Sequence, residues 1–334
     1  MIKELIKQLL CKKDLTSLQM QQAMEEILTN AADISDVVTF LTALNDKGET
    51  VEELISAVNV MRQYVEPISV DKPNILDTCG TGGDNLGTFN ISTLAALVAS
   101  GAGITVAKHG NRSVSSKCGS ADILEALGVK INMDKEQIRR CLDEIGIAFL
   151  FAPNLHLAMR QVAPARKQIA QKTIFNILGP LINPAQARHQ LIGVFSKTWV
   201  RPLAEVLHNL GSKHILVVHG ADGLDEITTT DRTFITEVKD GSINDYEIVP
   251  EDFGFKRASL DDLIGGSIDE NVRITQQVLA GQLGSRRDIV LFNAGAAIYA
   301  ADKAKTIKEG IKLAEESIDS KAAWGKLQQL REYQ

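Results

Sequence analysis

From Pro73 onward, short apolar runs alternate with stretches of helical periodicity, and this alternation constrains the chain more than any other feature. The runs are Ile75-Leu76, Ile104 to Ala107, Ile147 to Phe151, Ile192 to Phe195 and Ile215 to Val218. Strands separated by helices predict an α/β architecture with a largely parallel central sheet, because parallel neighbours need a crossover and a helix is the usual one. Residues 1 to about 66 read differently, as consecutive amphipathic helices with Gly48 at a turn, so a small N-terminal α-helical lobe precedes a large α/β lobe. The segment Phe175 to Pro184, with Gly179, Pro180 and Pro184, reads as a stiff joint between lobes. Residues 230 to 260 show only weak periodicity, compatible with a hairpin, and residues 302 to 334 are again helical.

A length of 334 residues suits two such units. With 36 Lys and Arg against 42 Asp and Glu the formal charge is −6, the wrong sign for a general phosphate-backbone binder, so no nucleic-acid partner is expected. Cys11, Cys79, Cys118 and Cys141 lie far apart without a C-x-x-C pair, which argues against a zinc site or a disulfide framework and for a reducing cytoplasm. The apolar face Ile2, Leu5, Ile6, Leu9 and Leu10 is broken by Lys3, Glu4 and Lys7, the pattern of a structural helix and not of a signal peptide. The stretch Leu94 to Ala107 contains Ser100 and two glycines and falls short of the roughly 20 apolar residues of a membrane span.

Four segments carry chemistry. After the first strand, Gly80-Thr81-Gly82-Gly83-Asp84 frees backbone N–H groups to converge on an anion, and Asn90-Ile91-Ser92-Thr93 places capping residues before the helix Leu94 to Ser100, whose N-terminus favours the same ligand. The spacing matches neither the P-loop nor the dinucleotide fingerprint. After the second strand, Lys108-His109-Gly110-Asn111-Arg112-Ser113 and Ser115 to Lys117 offer cations, an amide and hydroxyls to a phosphorylated, hydroxyl-rich substrate, and Ser120 with Asp122 caps a short helix ending at Gly128. After the fifth, His219 to Glu226 includes the adjacent carboxylates Asp225 and Glu226, suited to Mg²⁺ bound together with substrate phosphates. Finally, Arg160, Arg166 and Lys167 lie on a helical segment leading to the joint, where one cation would clasp a carboxylate, and the sequence does not choose among them. No G-x-S-x-G is present, so acyl-enzyme chemistry lacks a nucleophile.

In this order and spacing, Gly80 to Asp84, Asn90 to Thr93, Lys108 to Arg112 and Asp225-Glu226 closely resemble the anthranilate phosphoribosyltransferases of tryptophan biosynthesis, and the similarity spans essentially the whole chain. The resemblance implies a helical lobe at 1–69 joined by helices from about 168–185, an α/β lobe at 70–167 and 186–334, a homodimer through the helical lobe, and a site between lobes. It implies transfer of the 5-phosphoribosyl group from phosphoribosyl pyrophosphate to the amine of anthranilate with Mg²⁺ as cofactor. By position, Gly80, Gly83, Asp84, Thr88, Asn90, Ile91, Ser92, Thr93, Lys108, Asn111, Arg112, Ser115, Ser116 and Ser120 would hold phosphoribosyl pyrophosphate. Gly80, His109, Asn111, Arg166, Gly179 and Pro180 would hold anthranilate or line its path, and Ser92, Asp225 and Glu226 would serve the metal. The resemblance thus selects Arg166 from the three cations. Asn85, Cys118 and Leu157 depart from the family pattern, where glycine, serine and proline are common.

The attacking amine is neutral and aromatic, so no residue is assigned as an obligatory acid or base. The nearest alternative is a pyrimidine nucleoside phosphorylase, disfavoured because Asp77-Thr78-Cys79 stands where Lys-His-Ser is typical. A non-catalytic nucleic-acid-binding relative would show a basic face and no need of Asp225-Glu226.

Overall fold

The computed structural model describes residues 1–113 and 117–333. The helical lobe begins with α1 (Ile2–Leu10), α2 (Ser17–Leu28), α3 (Ile34–Lys47) and α4 (Val51–Gln63). Thr16 and Thr50 cap α2 and α4 in reciprocal bonds with Gln19 and Glu53. Glu53 is fully buried and accepts from Leu15 N, Thr50 N and the Lys47 ammonium at 2.8 Å each. One satisfied carboxylate thereby ties the start of α4 to the end of α3 and to the α1–α2 connection.

The large lobe follows as β1 (Leu76–Gly80), α5 (Ile91–Gly101), β2 (Val106–Gly110), α6 (Ser120–Ala126), α7 (Lys135–Glu144), β3 (Ile147–Phe151), α8 (Ala152–Leu155), α9 (Met159–Gln168), β4 (His189–Gly193), α10 (Val200–Asn209), β5 (His214–Gly220), β6 (Thr233–Lys239), β7 (Ser242–Ile248), α11 (Ile268–Leu279), α12 (Ser285–Ala300), α13 (Ile307–Asp319) and α14 (Ala322–Glu332). The sheet order is β3-β2-β1-β4-β5-β6-β7, with β1 to β5 parallel and β6 and β7 antiparallel. Period-two patterning separates its faces: Ile215 and Val217 of β5 join the core shared with the helical lobe and α10, whereas Leu216 and Val218 join the core under α5 and α12.

Three expectations need correction. The helix after the glycine loop starts at Ile91, not Leu94, so Ser92 and Thr93 lie in its first turn. β4 starts at His189 and not Ile192; its first two residues are polar but buried, His189 bonding the Ala300 carbonyl and Gln190 the Pro180 carbonyl. The joint at 168–185 is not made of α-helices: it forms two 3₁₀ turns, 174–176 and 179–182, where Pro180 and Pro184 withhold backbone donors. Packing with the helical lobe begins earlier, in α9, where Val162 and Ala165 enter the core that α2 and α3 share.

The chain runs from β1 outward to β2 and β3, then returns to β4 and proceeds to β5 on the other side. The carboxyl ends of β1 and β4 therefore flank the point where strand order reverses, the usual crevice for ligands in open α/β sheets.

Candidate active site

Gly80 and Gly193 end β1 and β4 and stand in register across the crevice. Thr81 N donates to Gly193 O at 2.9 Å, and Phe195 N to Thr81 Oγ1 at 3.1 Å. Asp225 lies directly over both glycines: a Cβ on Gly80 would stand 2.9 Å from Asp225 Oδ2, and one on Gly193 1.5 Å from the Asp225 carbonyl oxygen. Glu226 Oε1 accepts from Ser92 N at 3.1 Å, a carboxylate at the positive end of α5. Burial, then repulsion from Asp84, pushes the Asp225 carboxyl up to about 7, and burial with the Asp225 charge pushes Glu226 well above its usual range. Asp84 accepts from Leu86 N at 3.2 Å through Oδ1, while its buried Oδ2 finds no donor among the described residues.

Three crowded acids with an orphaned oxygen suit a hard divalent cation. Among the described residues no group of three or more His, Cys, Asp or Glu side chains is placed to hold a metal ion by itself. Mg²⁺ is a cation of this kind that takes only one or two carboxylates, with waters and phosphate oxygens as its other ligands.

The cations divide by what holds them. Lys108 is buried and donates to the Thr78 carbonyl, with Ser92 Oγ at 3.4 Å, so it sits in the floor of the site. Beside it, buried Asp77 accepts from His109 N at 3.1 Å and Asn183 Nδ2 at 2.7 Å. Arg112, expected on phosphate, is engaged elsewhere: its guanidinium pairs with Asp122 at 2.9 Å and Glu125 at 2.8 Å. Lys172, which the sequence did not single out, donates to Gly83 O at 2.7 Å and lies 3.4 Å from the centroid of the Phe195 ring.

The remaining expected phosphate contacts lie along the chain between β1 and α5 and at the start of α6. Gly83 and Asn85 have φ of +83° and +61°, and asparagine is the side chain that best tolerates the second position, which accounts for that departure. Thr88 forms an isolated bridge to Ile264. Asn90 precedes α5 but does not cap it with its side chain; Nδ2 donates to Cys118 O at 3.1 Å, and its buried Oδ1, like Thr93 Oγ1, has no partner among the described residues. Ile91 is buried beneath them. Ser120 does not cap α6: Gly119 is the N-cap, Asp122 accepts its N–H at 2.9 Å, and Ser120 Oγ donates to Asn111 O at 3.2 Å. Asp222 is occupied within its own turn, accepting from Thr228, Thr230 and Leu224. Ser115 and Ser116 lie outside the described residues.

On the joint side, His109 and His156 are buried with Nε2 atoms 2.8 Å apart, and the His109 ring also bonds the Gly179 backbone. Burial lowers both pKa values, His109 well below the usual range and His156 to about 4, so the pair is neutral near pH 7. Pro180 is buried beside Gly179, with its carbonyl taken by Gln190, and Asn111 is exposed with its side-chain oxygen on Arg112 N. Arg166, in the last turn of α9, is half-buried, and its guanidinium makes no hydrogen bond or ion pair among the described residues, whereas Arg160 and Lys167 are exposed. An unpaired, partly desolvated guanidinium is a receptor for a planar carboxylate.

A glycine loop, a helix N-terminus and paired acids at a sheet switch point, beneath a helical bundle, define a two-lobed transferase acting on a phosphorylated substrate. Residues 72–324 match the a/b domain of a glycosyl transferase family, and residues 3–65 match that family's helical bundle domain. Within it, the chain belongs to the anthranilate phosphoribosyltransferases, which couple anthranilate to phosphoribosyl pyrophosphate in tryptophan synthesis. It is 51% identical over 332 residues to the anthranilate phosphoribosyltransferase of Symbiobacterium thermophilum, covering 99% of this chain and 97% of that protein. The crystal structure of the Thermus thermophilus enzyme superposes with a TM-score of 0.93 at 40% identity, over 98% of each chain. The Saccharomyces cerevisiae enzyme, solved in complex with PRPP and Mg, superposes with a TM-score of 0.90 at 28% identity, over 99% of this chain and 97% of that one.

Proposed function

We propose that the β1–β4 crevice is where this chain performs its family's transfer, with phosphoribosyl pyrophosphate and Mg²⁺ on the α/β side and anthranilate toward Arg166. The observation that carries the reading is the convergence of Asp84, Asp225 and Glu226 on the glycine loop and the α5 N-terminus, with Ser92 N already on Glu226. Asp225, Glu226 and Ser92 would hold the metal, which when bound supplies positive charge to the diphosphate leaving group. Gly80 to Asp84, Thr88, Asn90, Ser92, Thr93 and Lys108 would surround the phosphoribosyl pyrophosphate. Asn90 Oδ1 and Thr93 Oγ1, buried without a partner among the described residues, favour a polar ligand there. Arg112 would have to leave Asp122 and Glu125 to join them.

As the C1–oxygen bond to diphosphate breaks, its electron pair leaves with the diphosphate, and the lone pair of the anthranilate amine forms the C1–nitrogen bond. Loop N–H groups stabilise the departing charge. Arg166 holds the carboxylate so that the amine faces C1, and after bond formation the nitrogen gives its extra proton to water or to the released diphosphate. The neutral His109–His156 pair and Gly179-Pro180 would form the wall of the anthranilate path.

A homodimer through the helical lobe is supported by Leu10, Leu18 and Ile34, which are 64%, 62% and 42% exposed on that lobe. Residues 1–69 with the 3₁₀ joint would form that lobe, and 70–167 with 186–334 the other. Four cysteines scattered along the chain without a C-x-x-C pair accord with a cytoplasmic enzyme, and among the described residues no helix is long and apolar enough to cross a membrane. Replacing Asp225→Asn together with Glu226→Gln tests the metal assignment. Turnover at millimolar Mg²⁺ falls at least about 100-fold, and calorimetric binding of phosphoribosyl pyrophosphate loses its Mg²⁺ dependence; unchanged kinetics would overturn it.

A further inference from the structure

Lys172 sits between α9 and the 3₁₀ turn at 174–176, in a segment fixed to the helical lobe. Its neighbour Gln171 donates to Asp46 Oδ1 on α3 at 3.4 Å, and Ile174 and Phe175 are buried in the core that α3 shares. The side chain crosses to the other lobe, where Nζ donates to Gly83 O at 2.7 Å and rests on the Phe195 ring at 3.4 Å from its centroid. Phe195 is itself tied to the loop through Thr81 Oγ1. An ammonium has three donors, and Gly83 O takes the only hydrogen bond this one makes among the described residues. It forms no ion pair there either, although the charges of Asp84 and Asp225 act on it. Arg112 has carboxylate partners and Lys108 is sealed in the floor, whereas Lys172 is a part-exposed cation already on the loop, with its charge left for a ligand there.

We propose that Lys172 is a cross-cleft positioning residue that sets the glycine loop for the diphosphate and lends its remaining donors to that group. The carbonyl and the following N–H of a trans peptide point in opposite directions, so holding Gly83 O fixes where the Asp84 N–H points. The loop bends through left-handed residues at Gly82, Gly83 and Asn85, with no regular ladder to hold it, and an anchor from the opposite lobe supplies that constraint. Because the anchor belongs to the helical lobe, the diphosphate subsite is completed by both lobes.

This inference rests on the glycine loop being the diphosphate site, and the test separates the two. Inorganic pyrophosphate is titrated calorimetrically with Mg²⁺ into the wild type, Lys172→Met and Lys172→Arg, alongside the KM values of both substrates and the melting temperatures. Lys172→Met weakens pyrophosphate binding and raises the phosphoribosyl pyrophosphate KM about tenfold, the scale of one charge-assisted contact, while the anthranilate KM stays unchanged. Lys172→Arg keeps binding within about threefold of wild type, since it retains charge and donors. Unchanged pyrophosphate affinity in a folded Lys172→Met, or an equal rise in both KM values, would overturn the role of Lys172. A wild type that binds no pyrophosphate would overturn the loop assignment beneath it.

Discussion

Gly193→Ala isolates the geometry on which the site depends. The backbone at Gly193 is not left-handed, so alanine is conformationally allowed and the cost is purely spatial. The new methyl would lie 1.5 Å from Asp225 O and 2.5 Å from Asp225 C, both backbone atoms that no rotamer change can remove. To restore a contact of about 3 Å, the Asp225 peptide must move by at least about 1.5 Å. That peptide is not free to drift, because Asn293 bonds Ile227 N at 2.9 Å and Ile227 O at 2.8 Å just beyond it. Displacing catalytic groups by about 1 Å costs on the order of 100-fold, and overpacking costs about 1–3 kcal/mol of stability. In a continuous assay of anthranilate fluorescence, Gly193→Ala should therefore lose at least about 100-fold in kcat/KM for phosphoribosyl pyrophosphate and require more Mg²⁺. Gly80→Ala meets a side-chain atom first, Asp225 Oδ2 at 2.9 Å, then Gly193 O at 3.2 Å, and should be milder. Gly325→Ala, with no atom within 4 Å of its Cβ, serves as the control. A folded Gly193→Ala enzyme within twofold of wild type would refute the reasoning.

Two further outcomes follow from the joint side. Arg166→Ala should raise the anthranilate KM by about 10- to 100-fold with little effect on phosphoribosyl pyrophosphate, the size of a charged hydrogen-bonded clasp, and equal effects on both substrates would contradict that role. His156 has a pKa near 4 in the native state, against about 6.5 in the unfolded chain, because burial disfavours its charge. Its contribution is complete above about pH 6.5 and is lost as the pH falls toward 4, amounting to about 3 kcal/mol. Melting temperatures of His156→Gln should fall less steeply than wild type between pH 6.5 and 4.5; identical slopes would show that this histidine is not held neutral.

Legibility in the sequence followed the locality of the interactions. Ile147 to Phe151 is an unbroken apolar strand on both faces and reads directly, whereas the start of β4 hides behind the polar pair His189-Gln190, whose partners lie in the joint and α12. The glycine loop, Lys108-His109 and Asp225-Glu226 stand out because each lies at or beyond the carboxyl end of a parallel strand. Lys172 carries no such mark: its contact with Gly83 spans 89 residues and exists only once the lobes meet. Gly193 is similarly mute, since the need for glycine comes from Asp225 folding over it. Arg112 reads in the sequence as a free loop cation, because Asp122 and Glu125 become its partners only once α6 is in place.

The most direct test mixes the purified protein with anthranilate and phosphoribosyl pyrophosphate and follows the loss of anthranilate fluorescence with and without Mg²⁺. Metal-dependent consumption, abolished by Asp225→Asn with Glu226→Gln, is the predicted result. A folded wild-type protein that leaves anthranilate untouched at saturating Mg²⁺ would contradict the assignment of this crevice as the site of transfer.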